Sequence, residues 1–311
     1  MTTQSVPPVV IGVDGSEQSE RAVRYAVADA RRRRTGVTVV HAVSETAPLA
    51  TMLPLYSVEA MAEVGRRLVE DTEREVKDLD PEVDVGSSVR AGSRVGVLVE
   101  AGKHASAIVL GHRTRSLAGR VLTSSTATGV AARAHCPTVS VPDSWIEGAD
   151  VGRVVVGVDD SDAAHDALGV AFGEARRRGA TLRVVHAWRL PTAYDGIIVS
   201  QVDITEWSES AGETMEKALV PWREAYPDVA VEVDFRLEHP GPALLAATEE
   251  ADVIVVGRKG HGAPLGIYLG SIARMLIREA RCPVIVAPQH GRHEPSAEDK
   301  LVADAETLPQ T

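Results

Sequence analysis

Short apolar runs alternate with longer stretches of helical periodicity along most of the 311-residue chain. Runs of this kind are typical of buried strands, and their alternation with helices is typical of β-α-β units in a parallel sheet. The pattern predicts an α/β protein with helices on both faces of its sheets. The predicted strands are 8–14, 36–43, 82–90, 106–111 and 138–142 in the first half, and 153–159, 180–187, 229–237, 252–257 and 283–287 in the second.

The same segments recur at a spacing of about 145 residues. GVDGS at 12–16 returns as GVDDS at 157–161, and VVHA at 39–42 returns at 184–187. Solenoid repeats are only about 20–50 residues long, so this period indicates a duplicated domain. We predict a first domain over 1–146, a second over 147–290, and a polar tail over 291–311 that we expect to be poorly ordered.

The predicted helices carry recognisable ends. Ser16 and Ser161 follow the first strand of each half and are expected to be N-caps. The arginine runs 31–34 and 176–178 are interpreted as cations that complement a helix C-terminus, in preference to a phosphate-binding patch. Pro221 lies inside a helical pattern and is expected to kink or split that helix.

Composition narrows the function classes. The net charge of −11 argues against general binding to nucleic acid or to an anionic membrane, because both depend on a basic surface. No run approaches the roughly 20 apolar residues that a membrane helix needs, and the N-terminus lacks signal-peptide features, so we expect a cytoplasmic protein. Two cysteines are too few for a disulfide scaffold.

One glycine-rich stretch, GRKGHGAPLGIYLGS at 257–271, carries most of the functional signal. It follows an apolar strand pattern and precedes an amphipathic helix pattern. Glycine lets the main chain adopt positive φ and lets a ligand approach it closely. Ser271 is the expected N-cap of the next helix, whose free N–H groups suit an anion. The residues predict a phosphate cradle, with a purely structural glycine-rich loop as the alternative.

The spacing G-x2-G-x9-G-S also resembles the ATP-binding signature of the universal stress protein family. The resemblance implies that Gly257 and Gly260 wrap the phosphates and ribose, and that Gly270 and Ser271 hold the triphosphate. Arg258, inside the same stretch, is counted with them as a binding residue. The resemblance further implies a Rossmann-like sheet in each half with strand order 3-2-1-4-5.

Other expected contacts lie at the ends of the first two strands of each half. Asp14 and Asp159 could accept hydrogen bonds from ribose or adenine, or hold Mg²⁺ through water, although an Asp after a strand also forms turns. The resemblance implies that the backbone of Ala42 and Ala187 reads the adenine edge. The glycines that close the first strands, Gly12 and Gly157, complete this set.

The first half departs from the glycine pattern. It keeps Gly111 and Ser125, but Thr114 and Ser124 stand where the second and third glycines belong. Their side chains restrict φ and occupy space that phosphates would need. We therefore expect ATP to bind the second half and the first site to be weakened or altered.

No convincing catalytic set is found, so we expect hydrolysis to be slow at most. The family resemblance implies an ATP-binding regulator of stress response, survival or growth. The alternatives are a slow ATPase or phosphotransferase and a nucleotide-free interaction scaffold. An unidentified protein partner and a homodimer stay open. We expect the halves to form an intramolecular pseudo-dimer, pairing antiparallel through their last strands with Cys136 and Cys282 free, buried and at opposite ends of that seam.

Overall fold

The computed structural model describes residues 6–43, 58–112, 125–159, 162–188, 201–259 and 269–289. Its strands are β1 (Val9–Gly12), β2 (Val37–Val43), β3 (Val85–Ala91), β4 (Ala107–His112), β5 (Thr138–Pro142), β6 (Arg153–Val158), β7 (Thr181–Trp188), β8 (Val231–Leu237), β9 (Val253–Gly257) and β10 (Val284–Ala287). Its helices are α1 (Glu17–Arg33), α2 (Val58–Leu79), α3 (Arg94–Ala101), α4 (Ser125–Ala131), α5 (Asp162–Arg178), α6 (Gln201–Ala225), α7 (Pro240–Ala247) and α8 (Ser271–Glu279).

All ten strands form one sheet in the order β3-β2-β1-β4-β5-β10-β9-β6-β7-β8. Strands β1–β5 make the first repeat and β6–β10 the second, and pairing within each repeat is parallel. The repeats join at a seam, defined here as the antiparallel pair β5 and β10, in which Val139 pairs with Ile285. The carboxyl ends of the strands in one repeat therefore lie at the sheet edge where the strands of the other repeat begin.

The predicted α/β class and all ten predicted strands are confirmed, with each strand limit within three residues of its expected position. The seam also joins the strands that were expected to form it. Pro221 does not split the helix, because α6 continues through it to Ala225. The other expected effect, a kink, stays a prediction. Pro221 lies near the helix end, so the backbone loses a single interior hydrogen bond there.

Local sequence explains how α1 and α5 begin and end. Ser16 caps α1, accepting a hydrogen bond from the Ser19 amide at 3.3 Å, as expected. Arg34 ends α1 in the left-handed conformation with φ of 54°, and Gly179 takes the same conformation after α5 with φ of 60°. The other expected cap, Ser161, lies outside the described residues.

The sheet has helices on both faces, and each face has its own apolar core. Helices α1, α2, α5 and α6 cover one face, with Tyr25, Phe172 and Trp222 among the largest fully buried side chains. Helices α3, α4, α7 and α8 cover the other, over Ile108, Ile254 and their neighbours. Each core runs across both repeats, so the repeats share their packing.

A cluster of charged side chains is buried where α1 meets α5 across the seam. Arg33 binds Asp29 of its own helix at 2.7 Å and Glu174 of α5 at 2.5 Å. Arg178 binds Glu174 at 3.2 Å and donates to the Tyr25 hydroxyl at 2.8 Å. Asp29 and Glu174 are fully buried. The sequence interpretation of the arginine runs as helix-end cations therefore missed that Arg33 and Arg178 also make side-chain contacts between the repeats.

Electrostatics in this cluster favour the charged forms. Burial alone would raise the pKa of Glu174, but the guanidinium groups of Arg177, Arg33 and Arg178 hold it well below its ordinary value. Burial raises the pKa of Tyr25 to about 12, against the opposing effect of Arg178. Glu174 is thus ionised, and Tyr25 is a neutral acceptor, across the neutral pH range.

The two cysteines are buried free thiols. Cys136 lies two residues before β5 and Cys282 two residues before β10, so the antiparallel register separates them along the seam. Burial raises the pKa of Cys136 to about 11 and that of Cys282 to about 12, so both thiols stay protonated. They behave as small apolar side chains.

Replacing Glu174 with Gln should destabilise the protein by about 3 to 5 kcal/mol, because Arg33 and Arg178 would lose their shared buried carboxylate. The folded pKa of Glu174 is lowered, so its contribution is present above the unfolded value of about 4.3 and is lost as pH falls below it. Urea unfolding from pH 7 to pH 3 should show the gap between wild type and variant shrinking with acid. Glu63→Gln, which alters an exposed pair with Arg66, is the control. Equal losses for the two variants would contradict this role.

Candidate functional site

Three strands of the second repeat end side by side at the same sheet edge. Val158 pairs with His186 and Gly157 pairs with Val256, so continuing the register puts Asp159 level with Ala187 on one side and with Arg258 on the other. Asp159 follows the central strand β6. In open parallel sheets, ligands bind at carboxyl ends of this kind, outside the central strands.

The glycine-rich stretch starts and ends beside this edge. Its two ends are joined by a hydrogen bond at 2.9 Å from the Gly270 amide to the Arg258 carbonyl, which we call the neck. Helix α8 begins directly after it, at Ser271. Gly270 is the N-cap and provides no side-chain acceptor, so the prediction that Ser271 is the N-cap is wrong. Ser271 is instead the exposed first residue of the helix.

The conformation of Gly270 corrects one further point. Its φ is −58° and its ψ is 156°, which any residue can adopt. The expected need for positive φ therefore does not hold at this position. What glycine offers here is the lack of a side chain beside the helix start, where main-chain donors without an internal partner face outward.

The Arg258 side chain extends to the first repeat, donating a hydrogen bond to the Ala134 carbonyl just beyond α4. Burial lowers the pKa of this guanidinium, while the charge of Asp166 opposes that effect. Arg258 was predicted to bind the cofactor. The structure shows its carbonyl at the neck and its side chain at the other repeat.

In the first repeat the corresponding strand ends meet in the same way, with Asp14 level with Ala42 and His112. The Asp14 carboxylate accepts hydrogen bonds from the Ser16 amide at 3.1 Å and from its hydroxyl at 2.6 Å. Asp14 thus forms a turn that supports the N-cap of α1. The alternative weighed for this residue, a structural turn, is what the first repeat shows.

Three of the predicted site glycines have a packing role. A Cβ on Gly111 would lie 1.9 Å from the main-chain oxygen of Gln18 in the first turn of α1. A Cβ on Gly12 would lie 2.5 Å from the Leu110 side chain, and one on Gly157 would lie 2.8 Å from Leu244. The neighbour of Gly111 is main chain, so close packing of α1 on the sheet requires glycine there even without a ligand. The neighbours of Gly12 and Gly157 are the ends of leucine side chains, which can adjust.

Other predicted site residues lie outside the described residues: Thr114, Ser124 and Gly260. Ser125 is the first residue of α4, as Ser271 is of α8. The two repeats therefore start their last helix at matching positions, although α4 has 7 residues and α8 has 9.

A cavity of about 330 Å³ opens at the carboxyl edge of the first repeat, between β3 and α3. Arg90, which is level with Ala42 in the register, lines it together with Gly92 and Ser93. Gly92 has φ of 136°, and Ser93 caps α3 by accepting from the Gly96 amide. The sequence interpretation missed this cavity and the helix start beside it, although a Gly-Ser pair before the apolar run 95–99 is a recognisable helix start.

Within the described part of the chain, no group of three or more His, Cys, Asp or Glu side chains is arranged to hold a metal ion. No helix among the same residues is both long and apolar enough to cross a bilayer.

The fold and the carboxyl-edge site define a class of protein. It is a duplicated, mostly parallel α/β protein with a glycine-rich stretch before the last helix of its second repeat. The universal stress protein family model matches residues 6–142 and again residues 151–288. A universal stress protein of Mycobacterium tuberculosis is 33% identical over 290 residues, which cover 90% of this chain and 97% of that relative. The chain belongs to the universal stress protein family.

Further comparisons agree with this assignment. Another universal stress protein of Mycobacterium tuberculosis is 33% identical over 295 residues, covering 90% of this chain and 95% of the relative. A crystal structure of a universal stress protein from Archaeoglobus fulgidus matches with a TM-score of 0.68 and 21% identity, over 91% of this chain and 98% of that one. The match to the Archaeoglobus fulgidus structure shows that the fold is shared.

Gly111→Ala should destabilise the protein by about 3 kcal/mol or more, because the new methyl group meets main chain that cannot rotate away. The control is Gly86→Ala in β3, where a Cβ would have no atom within 4 Å and the change should stay within about 0.5 kcal/mol. Denaturant unfolding measures both. Similar stabilities for the two variants would show that α1 can move away from β4.

Proposed function

We propose that this chain is an ATP-binding universal stress protein whose second domain, 147–290, holds the nucleotide, and that it acts as a nucleotide-dependent regulator of stress response, survival or growth. The first domain, 1–146, is proposed to bind nucleotide weakly or in altered form. The regulatory part rests on membership of the family, and the binding part on the geometry of the second repeat.

The neck is the observation that carries the binding proposal. The hydrogen bond between Gly270 and Arg258 brings the start of α8 to the strand edge where Asp159 and Ala187 lie. The first main-chain N–H groups of α8 have no side-chain cap. Free donors and the positive end of a helix dipole favour phosphate oxygens. In a protein with a net charge of −11, local donors of this kind are what an anionic ligand requires.

Each residue of this edge has a distinct part in the proposal. The main chain of Gly257, Gly260, Gly270 and Ser271 would hold the phosphates, and the backbone of Ala187 would face the adenine edge. The carboxylate of Asp159 would accept hydrogen bonds from the ribose or the base. Mg²⁺ arriving with ATP would be held mainly by phosphate oxygens, with Asp159 reaching it through water.

Regulator, enzyme and scaffold differ in measurable ways. A nucleotide-dependent increase in thermal stability separates a nucleotide-binding protein from a scaffold. Phosphate release under turnover conditions then separates a binding protein from an ATPase or phosphotransferase. We expect thermal stabilisation by ATP with phosphate release slow at most.

Gly270→Val should lower the nucleotide stoichiometry by about one per chain without unfolding the protein. A φ of −58° suits Val, so the effect should come from the branched side chain beside the helix start. Native mass spectrometry of the purified protein counts the bound nucleotide directly. Ser124→Val in the first repeat is the matched control, and an equal loss from it would contradict the ranking of the two sites.

Asp159→Ala should weaken ATP binding by about ten- to a hundredfold, since a hydrogen bond to a charged group is typically about 1.5 to 3 kcal/mol. The matched change, Asp14→Ala, removes the carboxylate at the corresponding position of the first repeat and should leave the affinity of the second site unchanged. Titration calorimetry measures both variants. An unchanged affinity in Asp159→Ala would remove this residue from the site.

A further inference from the structure

The residue after the first motif glycine faces across the seam in both repeats. Arg258 follows Gly257 and donates to the Ala134 carbonyl of the first repeat. His112 follows Gly111 and lies beside the Arg278 backbone of the second repeat. The antiparallel seam causes this exchange, because the strand ends of one repeat adjoin the place where the last helix of the other repeat finishes.

The two positions differ in chemistry. His112 is 4% exposed, and burial lowers its pKa against the opposing effect of the Arg278 backbone. Arg258 instead donates a hydrogen bond, is close enough to Cys136 to affect that thiol's pKa, and has Asp166 as a nearby counter-charge. The contact that links the glycine-rich stretch to the other repeat is therefore the one made by Arg258.

Arg258 also closes the neck of the glycine-rich stretch. Its carbonyl accepts the Gly270 amide at 2.9 Å, while its side chain is held by Ala134. The two contacts share one residue, so a shift of the neck also displaces the guanidinium from the first repeat. The planar guanidinium of Arg holds its donors in a more fixed geometry than a flexible Lys side chain does.

We infer that Arg258 is a positioning residue that couples the second nucleotide site to the first repeat. The inference rests on the proposed function, because it concerns the same site. A ligand that fixes the neck favours the Arg258–Ala134 contact, and by thermodynamic reciprocity this contact favours the ligand. Nucleotide bound in the second repeat is thereby sensed at the end of α4 and the start of β5, across the seam.

The test combines affinity with hydrogen exchange on the full chain, using ATP as the probe. Arg258→Met removes the donor but keeps a long apolar stem, and Arg258→Lys restores one donor. Arg133→Met is the matched control, since Arg133 is exposed and donates to the Gly129 carbonyl in α4 of its own repeat at 3.1 Å. The exchange is followed in peptides covering 257–274 and 131–140, each at saturating ATP.

In wild type and in Arg133→Met, ATP should slow exchange in both regions. In Arg258→Met, affinity should fall about fivefold or more, and protection should remain in 257–274 but disappear from 131–140. Arg258→Lys should restore part of both effects. This loss of remote protection at saturation distinguishes coupling from general destabilisation. If Arg258→Met does not fold, Arg258→Lys carries the same test, with a partial loss of protection in 131–140 expected.

Two results would overturn the inference while leaving the proposed function intact: protection confined to 257–274 in wild type, or remote protection retained in Arg258→Met. The proposed function and the inference would both be overturned if calorimetry detected no ATP binding to wild type and exchange changed in neither region.

Discussion

The buried charge cluster between α1 and α5 constrains how the two repeats meet. Removing Asp29 and Glu174 from water costs several kcal/mol per ion unless guanidinium groups are close enough to compensate. Arg33 satisfies both carboxylates at once, and Arg178 satisfies Glu174 and Tyr25. Glu174 also pairs with Arg177, and Asp29 with Arg32, within their own helices. The bond from Arg33 to Glu174 and the bond from Arg178 to Tyr25 are therefore the ones that depend on how the helices meet. Apolar packing holds the seam together, and these two bonds favour the observed arrangement.

That arrangement determines the geometry of the candidate sites. Strands are parallel within each repeat and antiparallel across β5 and β10, so the carboxyl edges of the two repeats lie at opposite edges of one sheet. Each candidate site therefore adjoins the amino edge of the other repeat, where α4 or α8 ends. The proximity of Arg258 to Ala134 follows from this topology and needs no special loop.

The sequence predicted the features that depend on local pattern. Strand positions follow from Val- and Ile-rich runs, and the cap at Ser16 follows from a short polar side chain before a helix. Partners across the seam could not be predicted in the same way, because Arg33 and Glu174 are 141 residues apart and look like ordinary helix-surface charges. The prediction that Ser271 is an N-cap failed for a related reason, because the start of α8 is determined by the neck contact with Arg258.

The glycines show that a sequence motif has to be judged together with the packing around each of its residues. Gly111 occupies the first motif position of a repeat that lacks the second and third glycines, yet main chain of α1 already excludes a Cβ there. A glycine at that position is therefore required by the fold and is weak evidence for a ligand. At Gly270 the backbone conformation suits any residue, so conformational freedom does not explain that glycine. The case for a nucleotide in the second repeat thus depends less on the number of glycines than on the start of α8, which has no side-chain cap and is joined by the neck to the strand edge at Asp159.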